Sequence, residues 1–309
     1  MRAQVSEQDM LAMLRESARQ WVEAEHPAAP NEMQSRAGLR ERWAAMAMLG
    51  WTGMTVAESA GGLGLGARAW GEVAEALGRE LVATPMVGSA LVAPGLLAGR
   101  DALLAQMVDG SAIIALAFGE DAHHSEKMRA TARRAGDGWQ LTARKCYVAD
   151  GAVADWFLVN ARADGAAMFL VPRDACDVVA LETIDGRAMA HVAIDAALPL
   201  TSRLDVDAAG IERAADLARI GLACEMLGAA TRSFEITLDY LKMREQFARP
   251  IGSFQALQHR AAQMLVAIEL ARASLNEALD LAETDAVLKQ PAAVAKFMAG
   301  EALHLATER

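Results

Sequence analysis

Arg244, Gln246, Phe247, Phe254 and Gln255 gather within twelve residues of "MREQFARPIGSFQALQHRAAQM", around a helix break at Arg-Pro-Ile-Gly. Amide, aromatic and guanidinium groups at one corner could bind a ligand. A guanidinium fork there suits phosphate oxygens, but the same Arg could satisfy the last carbonyls of the preceding helix. Asp216 and Arg219, three residues apart, could act on a substrate or form a solvated i,i+3 ion pair. Glu212, Glu225 and Glu235 occupy the same stretch, and their spacing nominates none as a general base. Tyr147 reads as a cross-strand packing residue. His123 and His124 read as surface-loop histidines.

Other motifs exclude chemistries. Cys146, Cys176 and Cys224 are far apart, with no CxxC and no close His. A zinc site or disulfide framework is not expected, and a reducing cytoplasm is the simplest home. "LGWTGMTVAESAGGLGLG" alternates Gly62, Gly64 and Gly66 and misses the G-x-G-x-x-G dinucleotide fingerprint. No strand pattern precedes it, so a turn with left-handed backbone positions is the better reading. A net charge of −10 without a basic cluster argues against nucleic-acid binding. The N-terminus mixes acids and bases and lacks the apolar core of a signal peptide. "VGSALVAPGLLAG" is short and broken by Gly and Pro, so no membrane span is expected.

The elements that must position these residues fall into three stretches of a 309-residue chain that is 53% hydrophobic and only 5% aromatic. Residues 1–110 read as a helical domain, with Met10, Leu11, Leu14, Ala18 and Trp21 at helical spacing. Further helices are expected near Leu39–Leu49, Ala67–Leu81 and Leu103–Val108. Residues 111–206 switch to short strand-like runs, from "AIIALAF" to "AHVAID", which indicate a small β barrel or sandwich. Residues 207–309 return to helix. Leu217, Ile220, Cys224, Leu227, Thr231, Phe234, Leu238 and Leu241 step by three and four, and Phe254 to Leu275 repeat the pattern. Two long antiparallel helices of a bundle follow from this, with a third starting near Pro291. Three helices leave one apolar flank for a fourth, from another chain or from sequence beyond Arg309.

Helices, a small β domain and a helical bundle, taken with the Met243–Met264 block, identify a family. The chain resembles the acyl-CoA dehydrogenases over nearly its whole length. "REQFARPIGSFQALQHRAAQM" is similar to the family's "R-x-Q-F-G-x-P-I-x-x-F-Q-x-x-Q-H-x-x-A-x-M", with Ala248 in place of the usual Gly. "LGWTGMTVAESAGGLGLG" resembles its N-terminal "LG-x-x-G-x-x-x-P-E-x-x-GG-x-G" loop, with Ala57 for Pro, and "ALGRELVATP" also fits. "GDGWQLTARKCYVADGAVADWFLV" is similar to the strand pair of the flavin wall. "GEDAHHSE" stands where the family has "T-E-P-G-A-G-S-D"; Glu120 and Ser125 keep their places.

The resemblance implies a mainly α fold with a central β domain, FAD as cofactor, and α,β-desaturation of an acyl-CoA thioester. It implies that Arg244 reaches the FAD pyrophosphate of a neighbouring subunit, with Gln246, Phe247, Phe254 and Gln255 on the same surface. A homo- or hetero-oligomer, dimer or tetramer, follows from that, and electron-transfer flavoprotein is the implied acceptor. Leu116, Phe118 and Gly119 are expected to contact the cofactor through backbone, Ser125 as a pocket hydroxyl, and Tyr147 as the aromatic against the isoalloxazine. Ala149 falls where the family often has a hydroxyl near flavin N5. Ser125, Asp216 and Arg219 are expected at the substrate. The base is the missing piece. One family position for its Glu is Ala218 here, and the other lies in a loop that would follow Arg309. Some relatives pair a base-bearing subunit with one lacking it, on bulky substrates such as steroid side chains. The chain is therefore expected to be either C-terminally short, with the base in sequence that would follow Arg309, or a subunit complete only with a partner. A non-catalytic structural partner, or a flavin oxidase or monooxygenase on the same fold, are the alternatives.

Overall fold

The computed structural model describes residues 6–24, 36–121 and 128–308. Helices come first: α1 (Glu7–Ala24), α2 (Arg36–Met48), α3 (Ala67–Arg79), α4 (Ala93–Leu96) and α5 (Asp101–Val108). Strands follow: β1 (Ile114–Ala117), β2 (Thr131–Ala135), β3 (Gly138–Val148), β4 (Trp156–Ala163), β5 (Gly165–Pro172), β6 (Asp177–Ala180) and β7 (Ala190–Pro199). Helix α6 (Ala208–Met243) is separated from α7 (Gln255–Ala282) by two-residue strands β8 (Glu245–Gln246) and β9 (Arg249–Pro250), and α8 (Lys289–Glu308) comes last. Each strand-like run of the sequence forms a strand, in the helix–sheet–helix order expected. Among the described residues no helix is long and apolar enough to cross a membrane. The Gly- and Pro-containing run near residue 90 is helical, a π-helix at Met86–Val92 passing into α4. Pro94 falls in the first turn of α4, and the Ala90 carbonyl four residues before it accepts the Thr55 hydroxyl at 2.6 Å instead.

Contacts group the chain into two compact units, one from residues 27–65 and 83–218, the other from 1–26, 66–82 and 219–309. In the first, the strands form one seven-stranded sheet ordered β1-β4-β2-β3-β7-β6, with β5 also on β4. Strands β4 and β5 bury both faces in places, through Phe157, Leu158, Val159, Met168 and Phe169. Leu97, Leu104, Met107, Ile114, Leu158, Leu170 and Ile211 share one core. The glycine loop after α2 is a compact turn. Leu63, Gly64 and Leu65 donate N–H bonds back to the carbonyls of Gly53, Val56 and Met54. Gly61 and Gly64 take φ of +87° and +60°, and a Cβ on Gly62 would lie 2.2 Å from the Val56 carbonyl oxygen. Helix α2, not a strand, precedes it, so the dinucleotide reading fails and the turn reading holds.

The second unit is helical. Gly78 lies against the Glu225 backbone and Gly228 against the Glu75 carbonyl, so α3 and α6 approach closer than any larger residue permits. Ion pairs Arg79–Glu235 and Arg272–Glu75 close the polar edges of this contact. In α6 the expected seam is buried at Ile220, Cys224, Leu227 and Phe234. In α8 the seam is all alanine, Ala292, Ala295, Ala299, Ala302 and Ala306, stepping by three and four and packed against α7.

Candidate functional site

In the first unit, candidate residues collect where β1 ends beside an irregularity in β3. Strand β3 alternates, burying Trp139, Leu141, Ala143 and Lys145. It pairs with β7 from Gly138↔Pro199 to Lys145↔Val192 and resumes at Val148↔Ala190. Three steps on β3 thus face two on β7, which is a bulge. Tyr147 sits in it with φ +53° and is 53% exposed. The His191 ring meets Tyr147 edge-on at 5.0 Å, and His191 Nδ1 accepts the Tyr147 N–H at 3.4 Å. Ala149, two residues on, is exposed and offers no hydroxyl.

Leu116 and Phe118 turn their side chains onto the core, leaving their main chain as the available contact. Gly119 is exposed, and its carbonyl accepts the Cys146 N–H at 2.9 Å. Beneath this surface Lys145 and Glu120 form an ion pair at 2.7 Å, with side chains 0% and 6% exposed. Burial pushes the Lys145 ammonium below its ordinary pKa, and the Glu120 carboxylate opposes that shift. Burial also pushes Glu120 up, but hydrogen bonds from Lys145 and from the Arg129 and Ala130 N–H groups outweigh it and hold the carboxyl low. Lys145, His191 and Asn160 were not nominated from the sequence. The signal for Lys145 was present: it follows Trp139, Leu141 and Ala143 on the buried parity of an alternating strand. Ser125, His123 and His124 lie outside the described residues.

On α6, Asp216 is 3% exposed, so its carboxylate is not a solvent-facing one, whereas Arg219 is exposed. Ala218 presents only a methyl group. Glu212 is exposed, Glu225 is buried, and Glu235 is occupied by Arg79 at 2.5 and 3.0 Å.

The second unit holds the corner. Helix α6 stops at Met243, and the chain then makes a hairpin the sequence did not disclose, pairing Glu245 with Pro250 and Gln246 with Arg249. Its two tip residues, Phe247 and Ala248, have φ of +54° and +58°. A two-residue loop with both φ positive has the handedness of a type I′ turn. The usual Gly at position 248 suits that geometry, and Ala adopts it at a cost. Phe247 is 87% exposed, and its ring meets Phe254 edge-on at 6.0 Å. The Arg249 guanidinium lies 4.2 Å from the Phe254 ring centre. Arg244 anchors the hairpin through its backbone, with its N–H on the Tyr240 carbonyl and its carbonyl on the Ile251 N–H, both at 2.8 Å. Its exposed guanidinium has no ion pair or hydrogen bond among the described residues, so it does not satisfy the carbonyls of α6. Gln246 and Gln255 are exposed beside it, and Phe254 is half-buried.

Comparison with known proteins adds a second line. Residues 8–111 match the family model described as acyl-CoA dehydrogenase, N-terminal domain, and residues 209–309 match acyl-CoA dehydrogenase, C-terminal domain. The acyl-CoA dehydrogenase FadE27 of Mycobacterium tuberculosis is 32% identical, over 91% of this chain and 79% of its own. Among solved structures, a variant of the Tcur3481-Tcur3483 steroid ACAD superposes with a TM-score of 0.84 at 31% identity, covering 97% of this chain and 85% of that one. The ChsE4-ChsE5 complex from Mycobacterium tuberculosis superposes with a TM-score of 0.87 at 29% identity, covering 98% and 85%.

Proposed function

Because the chain belongs to the acyl-CoA dehydrogenase family, oxidoreductases acting on CH–CH groups, we propose that it is an FAD-binding subunit of an enzyme that desaturates an acyl-CoA thioester. The observation that carries this reading is the corner at residues 244–255. An exposed guanidinium with no partner among the described residues, an exposed aromatic tip and two exposed amides lie within twelve residues at the corner between α6 and α7. These groups fit a large anionic, aromatic cofactor: the guanidinium fork matches phosphate oxygens, and the amides supply directional hydrogen bonds. The exposed Tyr147 ring and the Gly119 main chain fit its flat ring system.

When bound, FAD supplies the acceptor for the hydride leaving the substrate β carbon. The protein's part is binding and orientation. Arg244, Gln246, Phe247, Phe254 and Gln255 hold the cofactor of a neighbouring subunit, which makes an oligomer part of the proposal. Leu116, Phe118 and Gly119 offer backbone, Tyr147 walls the ring, and Ser125, with Asp216 and Arg219, serves the acyl-CoA. At position 149 a methyl group replaces a hydroxyl, so the chain tunes the flavin without a side-chain donor there.

Proton removal from the α carbon needs a carboxylate. Ala218 cannot supply it, Glu235 is committed to Arg79, Glu225 is buried against α3, and the exposed Glu212 occupies neither position where the family carries its base. We therefore place the base outside residues 1–309. Similarity to a steroid ACAD and to the two-component ChsE4-ChsE5 assembly supports a heteromeric enzyme acting on a bulky acyl group. Electron-transfer flavoprotein is the proposed acceptor.

Ala149 and Ala218 favour one second reading, a structural partner subunit that does no chemistry itself. Flavin content separates the two. The first reading requires protein purified alone or with co-expressed neighbours to carry FAD; colourless protein under both conditions supports the second.

A further inference from the structure

The flavin-facing reading uses what is exposed at Gly119 and Tyr147. Directly beneath lies a charge it does not use. The Lys145 ammonium has three donors and three close acceptors: Glu120 Oε1 and Asn160 Oδ1, each at 2.7 Å, and the Asn160 carbonyl at 2.9 Å. The Phe118 carbonyl stands at 3.5 Å. The Glu120 carboxylate also accepts the backbone N–H groups of Arg129 and Ala130. One buried ion pair thus ties together β3, β4, the segment leaving β1 and the segment entering β2.

Stability alone does not account for this arrangement. Removing two ions from water commonly costs more than their attraction returns, and a packed apolar pair serves stability as well or better. What the ion pair adds is direction, because each of its hydrogen bonds fixes a backbone position. Those positions flank the exposed wall. Phe118 and Glu120 stand on either side of Gly119, Lys145 precedes Tyr147 by two residues, and Cys146 between them bonds Gly119.

We propose that Lys145, acting through Glu120 and Asn160, is a positioning residue that keeps the Gly119 main chain and the Tyr147 bulge in register for the flavin ring. The proposal rests on the FAD reading above. Lys145→Met alone strands the buried Glu120 carboxylate and tests chiefly folding. The informative variant is Lys145→Met/Glu120→Gln, which removes both charges and keeps side-chain volume and an acceptor for the Arg129 and Ala130 N–H groups.

Three readouts are needed: the thermal midpoint of the apoprotein, FAD affinity by titration, and visible circular dichroism of the bound flavin. The double variant should fold with a midpoint near that of the wild type. It should bind FAD about tenfold more weakly, since two loosened wall elements must be ordered on binding. The visible dichroism should change as well. Leu275→Ala, a core truncation in α7, should lower the midpoint and leave the dichroism unchanged. A double variant that binds FAD within about twofold of wild type, with the same dichroism, overturns the proposal. So does one whose apoprotein is unfolded, because the pair then serves the fold itself. Wild-type protein that takes up no FAD, alone and with its co-expressed neighbours, refutes the parent reading, and that result appears before any variant is made.

Discussion

Replacing Ala248 by glycine should stabilise the protein, although it removes a methyl group and adds no contact. Ala248 is the second tip residue of the β8–β9 hairpin, with φ +58°. The left-handed region costs an L-residue with a Cβ about 1–2 kcal/mol. Glycine escapes that cost, but its freer unfolded chain gives back about 0.4–1 kcal/mol. The net expectation is about 0.5–1 kcal/mol of stabilisation. For a chain of this length that raises the thermal midpoint by about 1–2 °C. Ala248→Val tests the same argument from the other side. A β-branched side chain is a poorer fit to positive φ, so the midpoint should fall. Calorimetry on both variants, or urea midpoints at constant m-value, is the assay. If Ala248→Gly destabilises, or Ala248→Val is neutral, position 248 is not left-handed in solution and the hairpin account is wrong.

Arg244→Ala should weaken FAD binding by roughly 1.5–3 kcal/mol, the range for a charge-assisted hydrogen bond, with little change in the apoprotein's midpoint; stoichiometric flavin after dialysis would show that Arg244 does not hold it. The Glu120 carboxyl is held below its ordinary value of 4.5, so its contribution to stability is complete above that pH and is lost as pH falls through the lower folded value. Urea unfolding between pH 7 and 3 should therefore show a loss that Lys145→Met/Glu120→Gln flattens, and an identical acid limb in the variant would contradict the assignment. Burial pushes the Cys176 thiol up to about 12, and the Cys224 thiol is raised by burial with Glu75 and Glu225 adding to the effect. Neither should alkylate in native protein at pH 8, where the thiolate fraction of Cys176 is on the order of one in ten thousand; mass spectrometry after iodoacetamide reads this directly.

Much of the architecture was legible because it rests on periodicity. The α6 seam steps by three and four without a miss, and the strands announce themselves by alternation, so both survive folding unchanged. The corner was legible as a break, since a Pro inside a helical pattern removes an N–H and crowds the preceding turn. What it became was not. A type I′ tip of Phe247 and Ala248 contains neither Asn nor Gly, the residues that usually signal such a turn. The π-helix at Met86–Val92 was missed for a related reason: Gly88 and Pro94 read as breakers, and only packing shows that Pro94 sits in a first turn. The β3 bulge leaves no trace in composition, so Tyr147 was assigned by resemblance while its exposure had to be seen. Lys145 shows the difference most clearly. Its parity said buried and its charge said exposed; Glu120, twenty-five residues away in sequence, decides for burial.

The central claim is that this chain takes FAD at the wall formed by Gly119 and Tyr147, and that its corner at residues 244–255 reaches the FAD phosphates of a neighbouring subunit. Titrating FAD into deflavinated full-length protein, followed by flavin fluorescence, tests it most directly. The account predicts saturable binding of one FAD per chain, weakened by Arg244→Ala. Absence of binding, both for the chain alone and for the chain purified with its co-expressed neighbours, would contradict it.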